Sequence, residues 1–211
     1  ILDNAVLSIK TEYYNRGLYS VIITPVVTQL ERNRVNIEIQ ISEGSIAKIA
    51  AIDFIGNKIY STNQLRKEMY LTTGNWMSWW YKDNQYSSDK LAGDFEKIRA
   101  FYLNNGYIDF RLNSAQIQLS PDKQSVFITG NIIEGEQYRF KSIQLAGDYK
   151  DIPPAVLTPL ITVKPGQIIN QETLNKNIET IKNTMGNYGY AFANVNPVPD
   201  VNVKDHTVAY N

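Results

Sequence analysis

The chain has 211 residues, 43% hydrophobic and 20% charged, the balance of an ordinary folded protein. Its 21 Lys and Arg equal its 21 Asp and Glu, so it lacks the basic excess that neutralises phosphate, and a nucleic-acid partner is not expected. With no cysteine, disulfides, thiolate metal sites and cysteine nucleophiles are excluded together, and no apolar run approaches the ~18 residues of a membrane-spanning helix.

The opening Ile1-Leu2-Asp3-Asn4 has neither the charged nor the apolar region of a signal peptide and no starting Met, so the chain reads as a piece of a longer protein. Leu2, Val6, Ile9 and Tyr13 stand at i, i+4, i+7 and i+11, one apolar stripe on a helix, and Gly17 ends it where only glycine adopts a left-handed backbone cheaply. A strand-like run from Gly17 to Leu30, interrupted by Pro25, meets the polar turn Glu31-Arg32-Asn33. Val35, Ile37, Ile39 and Ile41 then alternate with polar residues as a half-buried strand does, up to Glu43-Gly44.

Ile52 and Phe54 form a short strand closed by Gly56, and Ser61-Thr62 offers an N-cap for a helix. Next comes an insertion: Leu71 to Leu91 is twenty residues, against thirteen from Ile161 to Leu174 further on. The extra residues include Trp76, Trp79, Trp80 and Tyr81. Leu91, Phe95, Ile98 and Tyr102, followed by Gly106, repeat the first helical template, with Asp94 and Glu96 read as its solvated face. A proline-free run from Tyr107 to Leu119 leads to the turn Pro121-Asp122-Lys123. Val126, Ile128 and Ile132 keep a strand's beat that Gly130 interrupts, and Glu134-Gly135 closes the unit as Glu43-Gly44 did.

The pattern then starts again. Ile143, Leu145 and Gly147 correspond to Ile52, Phe54 and Gly56, and a helix begins near Asp151 with Pro153 and Pro154 in its first turn. Leu174, Ile178, Ile181 and Met185, ending at Gly189, give the template a third time. The run to Val201 carries Pro197 and Pro199, and Val208 and Tyr210 follow the turn Lys204-Asp205. The fold class is therefore α+β: tandem β-α-α-β-β repeats, each a small three-stranded mixed sheet covered by two helices. Residues 1–45 hold a second helix and last two strands only, 46–136 a complete repeat, and 137–211 a repeat lacking most of its last strand.

Catalytic constellations are missing. The sole histidine, His206, lies in a turn beside Asp205, and no second imidazole exists to build a triad or metal site. Gly166 has no glycine partner for a phosphate loop, so no cofactor, no metal and no enzymatic activity are expected.

The order of elements, the helix-ending glycines, the Glu-Gly pairs and the glycine closing each first strand resemble POTRA domains. Arg32-Asn33-Arg34-Val35, Lys90-Leu91-Ala92-Gly93-Asp94, Tyr102-Leu103-Asn104-Asn105-Gly106-Tyr107 and Leu119-Ser120-Pro121-Asp122-Lys123 resemble the second and third such domains of outer-membrane β-barrel assembly factors. Asn187-Tyr188-Gly189-Tyr190-Ala191 is similar to the fourth. This resemblance implies a periplasmic location in a Gram-negative outer-membrane protein and a membrane barrel of its own downstream. It also implies unfolded β-barrel precursors and accessory lipoproteins as partners. A TamA-like factor or a two-partner secretion transporter is the alternative within the family.

In the family's topology the strand after the second helix lies at a sheet edge, where unpaired amides and carbonyls can take an extended chain. Proline cannot donate to such a ladder, so Pro25 blunts the first edge, and Pro197 and Pro199 the third. The middle edge, from Tyr107 and above all Ala115, Gln116, Ile117, Gln118 and Leu119, is the candidate binding strand; a plain solvated edge is the other reading. Trp76, Trp79, Trp80 and Tyr81 are a second candidate surface, with core packing under their own helices as the other reading.

Overall fold

The computed structural model describes residues 2–74, 76–147, 149, 152–190 and 192–210, without the side chain of Trp79. Asp151, expected near a helix start, lies outside the described residues. Two compact units emerge, residues 1–98 with 112–132, and residues 99–111 with 133–211. The cut falls inside a helix, because each repeat's helix end is built into the repeat that follows.

In the first unit, helix α1 (Leu2–Asn15) precedes strands β1 (Ile22–Leu30) and β2 (Arg34–Ser42), an antiparallel pair. Arg32 and Asn33 both take positive φ, 61° and 56°, in a three-residue turn, Glu31 to Asn33, between the paired Leu30 and Arg34. The expected apolar stripe of α1 is its least exposed face, yet no residue of the helix is buried. The alternation of β2 likewise meets no core: Val35, Ile37 and Ile41 are exposed and Ile39 is only half-buried. Patterning creates an apolar face, but burial needs something to set against it. Pro25 does not interrupt β1; it stays in register opposite Ile39, as an edge strand allows when the proline nitrogen faces away from its partner.

The complete repeat runs β3 (Lys48–Ile55), α2 (Thr62–Glu68), α3 (Ser78–Tyr81), α4 (Ser88–Asn104), β4 (Arg111–Leu119) and β5 (Ser125–Ile133). Its sheet has the order β3-β5-β4, with β3 parallel to β5. Ser61 caps α2 reciprocally: its Oγ accepts from the Gln64 amide at 3.3 Å while Gln64 Oε1 accepts from the Ser61 amide at 2.9 Å. Ile52, Phe54, Val126, Ile128 and Ile132 are buried, as are Leu91, Phe95 and Ile98 of α4. Each fully covered aliphatic side chain stabilises by about 1.5–3 kcal/mol over exposure. Gly130 keeps the beat of β5 rather than interrupting it. Cβ there would lie 3.0 Å from the Phe54 ring and 3.3 Å from Phe95, so glycine is the residue that leaves room for both.

Asp94 corrects the expectation of a solvated face. It is 1% exposed, and its carboxylate accepts from the amides of Tyr70 and Leu71, both at 2.7 Å, and from Lys97 Nζ at 2.9 Å. It fastens α4 to the start of the Trp-bearing insertion.

The second unit holds the end of α4, then β6 (Arg139–Ile143), α5 (Pro154–Leu157), a 3-10 turn (Thr158–Leu160), α6 (Gln171–Asn187), β7 (Pro199–Asn202) and β8 (Thr207–Tyr210). Its sheet has the order β6-β8-β7, β6 being parallel to β8, with a bulge at Phe140/Ser142 that matches the one at Ile49/Ala51 in β3. Pro154 opens α5, as expected for a residue without an amide to spare. Among the described residues of the run from Gly189 to Val201, the strand is the short β7, which starts at Pro199.

Gly17, Gly106 and Gly189 all end their helices at positive φ, 82°, 85° and 92°. The first two do more. The Gly17 carbonyl accepts from Ala47 at 2.9 Å, and the Gly106 carbonyl accepts from Tyr138 at 2.8 Å, so each helix end seats the strand that opens the next repeat. Asn104 also caps α6, accepting from the Glu172 amide at 2.9 Å.

Candidate functional site

A binding edge requires a strand whose outer amides and carbonyls are not already used. The strand order places β3 and β4 at the two ends of the middle sheet. The outer side of β3 is taken: Ile49 donates to the Asn84 carbonyl at 2.8 Å and Tyr86 donates to the Ala47 carbonyl at 3.0 Å. β6 is covered in the same way, Phe140 donating to Gln167 at 2.8 Å and Ile169 to Tyr138 at 3.0 Å. The segment leading into each long helix thus shields the first strand of its repeat. Among the described residues, that leaves the strand after the helix as the open end.

Three strands occupy that position, and they differ. β1 contains Pro25, and β7 has only four residues beginning with Pro199. β4 has nine residues without proline, about 30 Å of extended chain. Ala115, Gln116, Ile117, Gln118 and Leu119 are all exposed along it. Asn131 Nδ2 of β5 donates to Ser114 Oγ at 2.9 Å, so Ser114, Gln116 and Gln118 share a face with Asn131, and Ala115, Ile117 and Leu119 take the other. The end of β4 is fixed by its turn. Ser120 donates to the Ser125 carbonyl at 2.9 Å, and Asp122 accepts from the Ser120 hydroxyl and from the Gln124 amide, which holds its carboxyl below the ordinary range.

Tyr107 does not belong to this edge. It is 7% exposed, sits in the second unit, and packs edge-on against Tyr102 at 5.8 Å between ring centroids. The turn after Gly106 folds its ring inward before the strand begins at Arg111. Trp76 and Trp80 instead lie on the surface, 83% and 71% exposed, with Tyr81 exposed beside them on α3; the side chain of Trp79 lies outside the described residues. Core packing therefore does not account for Trp76 or Trp80. Their loop is nonetheless built: Asp94 holds its base, Thr72 donates to the Asp83 carbonyl at 3.0 Å, and the Tyr70 hydroxyl donates to the Tyr81 carbonyl at 3.3 Å.

One recurring pair escaped the sequence reading although both halves were visible. The Tyr13 hydroxyl donates to Glu43 at 3.1 Å, and the Tyr102 hydroxyl donates to Glu134 at 2.6 Å. The last apolar position of the helical template and the Glu of Glu-Gly are partners, which ties the helix to the end of the last strand. His206 is part of a turn: its φ is 48° and its carbonyl accepts from Arg139 at 3.0 Å. Among the described residues no group of His, Cys, Asp and Glu is arranged to hold a metal ion, and no helix is long and apolar enough to cross a membrane.

A mixed β-α-α-β-β sheet that recurs along the chain, with one shielded and one open edge, defines a class. The chain belongs to the POTRA family, whose model, described as a surface antigen variable number repeat, matches residues 47–135 and 138–211. It is 40% identical over 209 residues to the outer membrane protein assembly factor BamA of Neisseria meningitidis serogroup B, covering 99% of this chain and 26% of that protein. The BamA of Buchnera aphidicola is 29% identical over 86% of the chain, which covers 29% of that relative. A crystal structure of Haemophilus influenzae BamA POTRA3-5 superposes with a TM-score of 0.67 at 28% identity, over 78% of this chain and 64% of that one. The chain thus spans between a quarter and a third of these two relatives' length.

Proposed function

We propose that this chain is part of the periplasmic arm of an outer-membrane β-barrel assembly factor, and that β4 takes extended segments of unfolded barrel precursors or of accessory lipoproteins by strand addition. The observation that carries this reading is the combination at β4: nine residues, no proline, and an edge position in a sheet whose other edge is shielded. Strand addition reads backbone, which suits a protein that handles clients of many sequences. The likeness to assembly factors of that name supports the cellular role, and favours it over a TamA-like or two-partner secretion transporter. The modules are read as 1–45, 46–136 and 137–211, a division supported by the family match at 47–135 and 138–211. The exposed Trp76, Trp80 and Tyr81 form a second contact surface, with the large amphipathic side chains favoured at binding hot spots.

The test is photo-crosslinking inside cells, from Gln116 and Gln118 on β4 and from Trp80, in the full-length protein. Adducts with nascent barrel proteins or a periplasmic lipoprotein from the two β4 positions are expected. Adducts from Trp80 alone would move the binding surface to the insertion, and silence at all three would reduce these modules to a spacer.

A further inference from the structure

The segments that shield β3 and β6 do the same work with different fastenings. At β3, three outward backbone groups are taken. The Ile49 amide donates to the Asn84 carbonyl at 2.8 Å, and the Ala47 carbonyl accepts from the Tyr86 amide at 3.0 Å. The Ala47 amide donates to the Gly17 carbonyl at 2.9 Å. The shielding segment runs antiparallel to β3, with Gln85 opposite Lys48. Gly17, however, belongs to the first repeat. The β3 edge is therefore closed jointly, by its own repeat and by the chain that leaves helix α1.

The first repeat also bears on the shield itself. Cβ at Gly17 would lie 2.6 Å from the Tyr86 carbonyl oxygen, so no side chain fits between the helix end and the shield. The rings of Tyr19 and Tyr86 are 5.9 Å apart, and Tyr14 lies 5.3 Å from Tyr19. Tyr86 is only 4% exposed. Among residues 2–45 the buried ones are Gly17, Leu18 and Val21, all in this stretch. Two backbone bonds spread over three residues are marginal by themselves, so the cover given by the first repeat decides whether the shield stays in place.

At β6 the preceding helix end is tied to the shield by directional bonds. Asn170 Nδ2 donates to the Asn104 carbonyl at 3.0 Å, and the Glu172 amide donates to Asn104 Oδ1 at 2.9 Å. Asn104 stands two residues before Gly106, and its counterpart before Gly17 is Asn15. Among the described residues Asn15 makes no hydrogen bond to the shield over β3. That shield is held by surface contact, which fades as soon as two surfaces part.

We propose that the β3 edge is a second strand-binding site, kept closed by the first repeat. When the contact of Gly17 and Tyr19 with Tyr86 is released, residues 84–86 leave β3, and an extended polypeptide pairs with Ala47 and Ile49 in their place. The β6 edge, latched through Asn104, is not released in this way. The proposal does not rest on client binding at β4.

Tyr19→Ala and Gly17→Ala in the full-length protein test it, with amide exchange followed with and without an extended peptide copying a strand of an outer-membrane barrel. Without peptide, the Ile49 and Tyr86 amides are expected to exchange roughly tenfold faster or more than in the unaltered protein, while Phe140 and Ile169 keep their rates. With peptide, Ile49 is expected to slow again and Tyr86 to stay fast, because the peptide has replaced the shield. If Gly17→Ala loosens the whole repeat, so that Val126 and Ile128 of the central strand also accelerate, Tyr19→Ala carries the test alone. Unchanged Ile49 exchange in Tyr19→Ala would overturn the proposal. So would Ile49 exchange that ignores the peptide, or acceleration in Tyr19→Ala that extends to Val126 and Ile128.

Discussion

The hairpin β1–β2 and the sheet β3-β5-β4 are written in nearly the same sequence pattern and fare differently. β2 alternates Val35, Ile37, Ile39 and Ile41 with polar residues as regularly as β5 alternates Val126, Ile128 and Ile132. Backbone pairing does not separate them, since β1 and β2 hold nine register pairs from Ile22↔Ser42 to Leu30↔Arg34. Burial does: Ile37 is 47% exposed and Ile128 is 1% exposed. The complete repeat supplies a parallel strand beside β5 and a helix whose Phe95 reaches the sheet at Gly130, whereas no residue of α1 is buried. A hydrogen-bonded ladder gives a strand its shape, and the layer laid over it supplies most of the stability.

The largest expected effect breaks this comparison if it fails. Ile128→Ala should cost about 2–4 kcal/mol in urea unfolding, while Ile37→Ala should stay within about 0.5 kcal/mol. Equal costs would mean that the hairpin face is covered after all. Gly56→Ala should cost about 3 kcal/mol, since its new methyl meets the Ile132 carbonyl. Gly147→Ala, strained in φ but unobstructed, should cost about 1 kcal/mol by the same measurement.

Asp94→Asn sharpens the comparison from the helix side. It keeps the size of a side chain that accepts from two amides and a lysine, and removes the charge that strengthens those bonds. A loss of about 2 kcal/mol is expected, with faster amide exchange at Tyr70 and Leu71. The smallest effect compares the two hairpin turns. The Asp122 carboxyl is held below its ordinary value chiefly by the Ser120 hydroxyl, then by the Gln124 amide. Its stabilisation of the β4–β5 turn is therefore present at neutral pH and lost as pH falls through the carboxylate range. The β1–β2 turn, where Arg34 Nε donates to the Glu31 carbonyl, has no such carboxylate contact and should not respond; amide exchange at Gln124 and Ser125 against pH reads the difference.

Much of the fold was legible because its signals are local. The stripe Leu91, Phe95, Ile98 and Tyr102 with Gly106, the Ser61 cap and the Pro154 helix start all depend on neighbours within a turn or two. The misreadings involve partners far along the chain. Asp94 looked solvated because its acceptors' partners, Tyr70 and Leu71, lie over twenty residues away, in a loop with no periodicity. Gly130 looked like a break because the rings that require it come from two other elements. Tyr107 was placed on the edge since strand patterning does not show where the chain, having turned at Gly106, starts the strand. The end position of β4 in its sheet was implied by the family resemblance, but the shield over β3 was not: it is made by backbone groups of Asn84 to Tyr86, which leave no mark on side-chain pattern.

The most direct test of edge pairing is amide hydrogen exchange along Arg111–Leu119 in the full-length protein, with and without an extended peptide copying a strand of an outer-membrane barrel. Strand addition at β4 predicts slowed exchange at alternate amides of β4, with the amides of the proline-containing β1 unchanged. Exchange that slows only in residues 70–86, or nowhere, would contradict it.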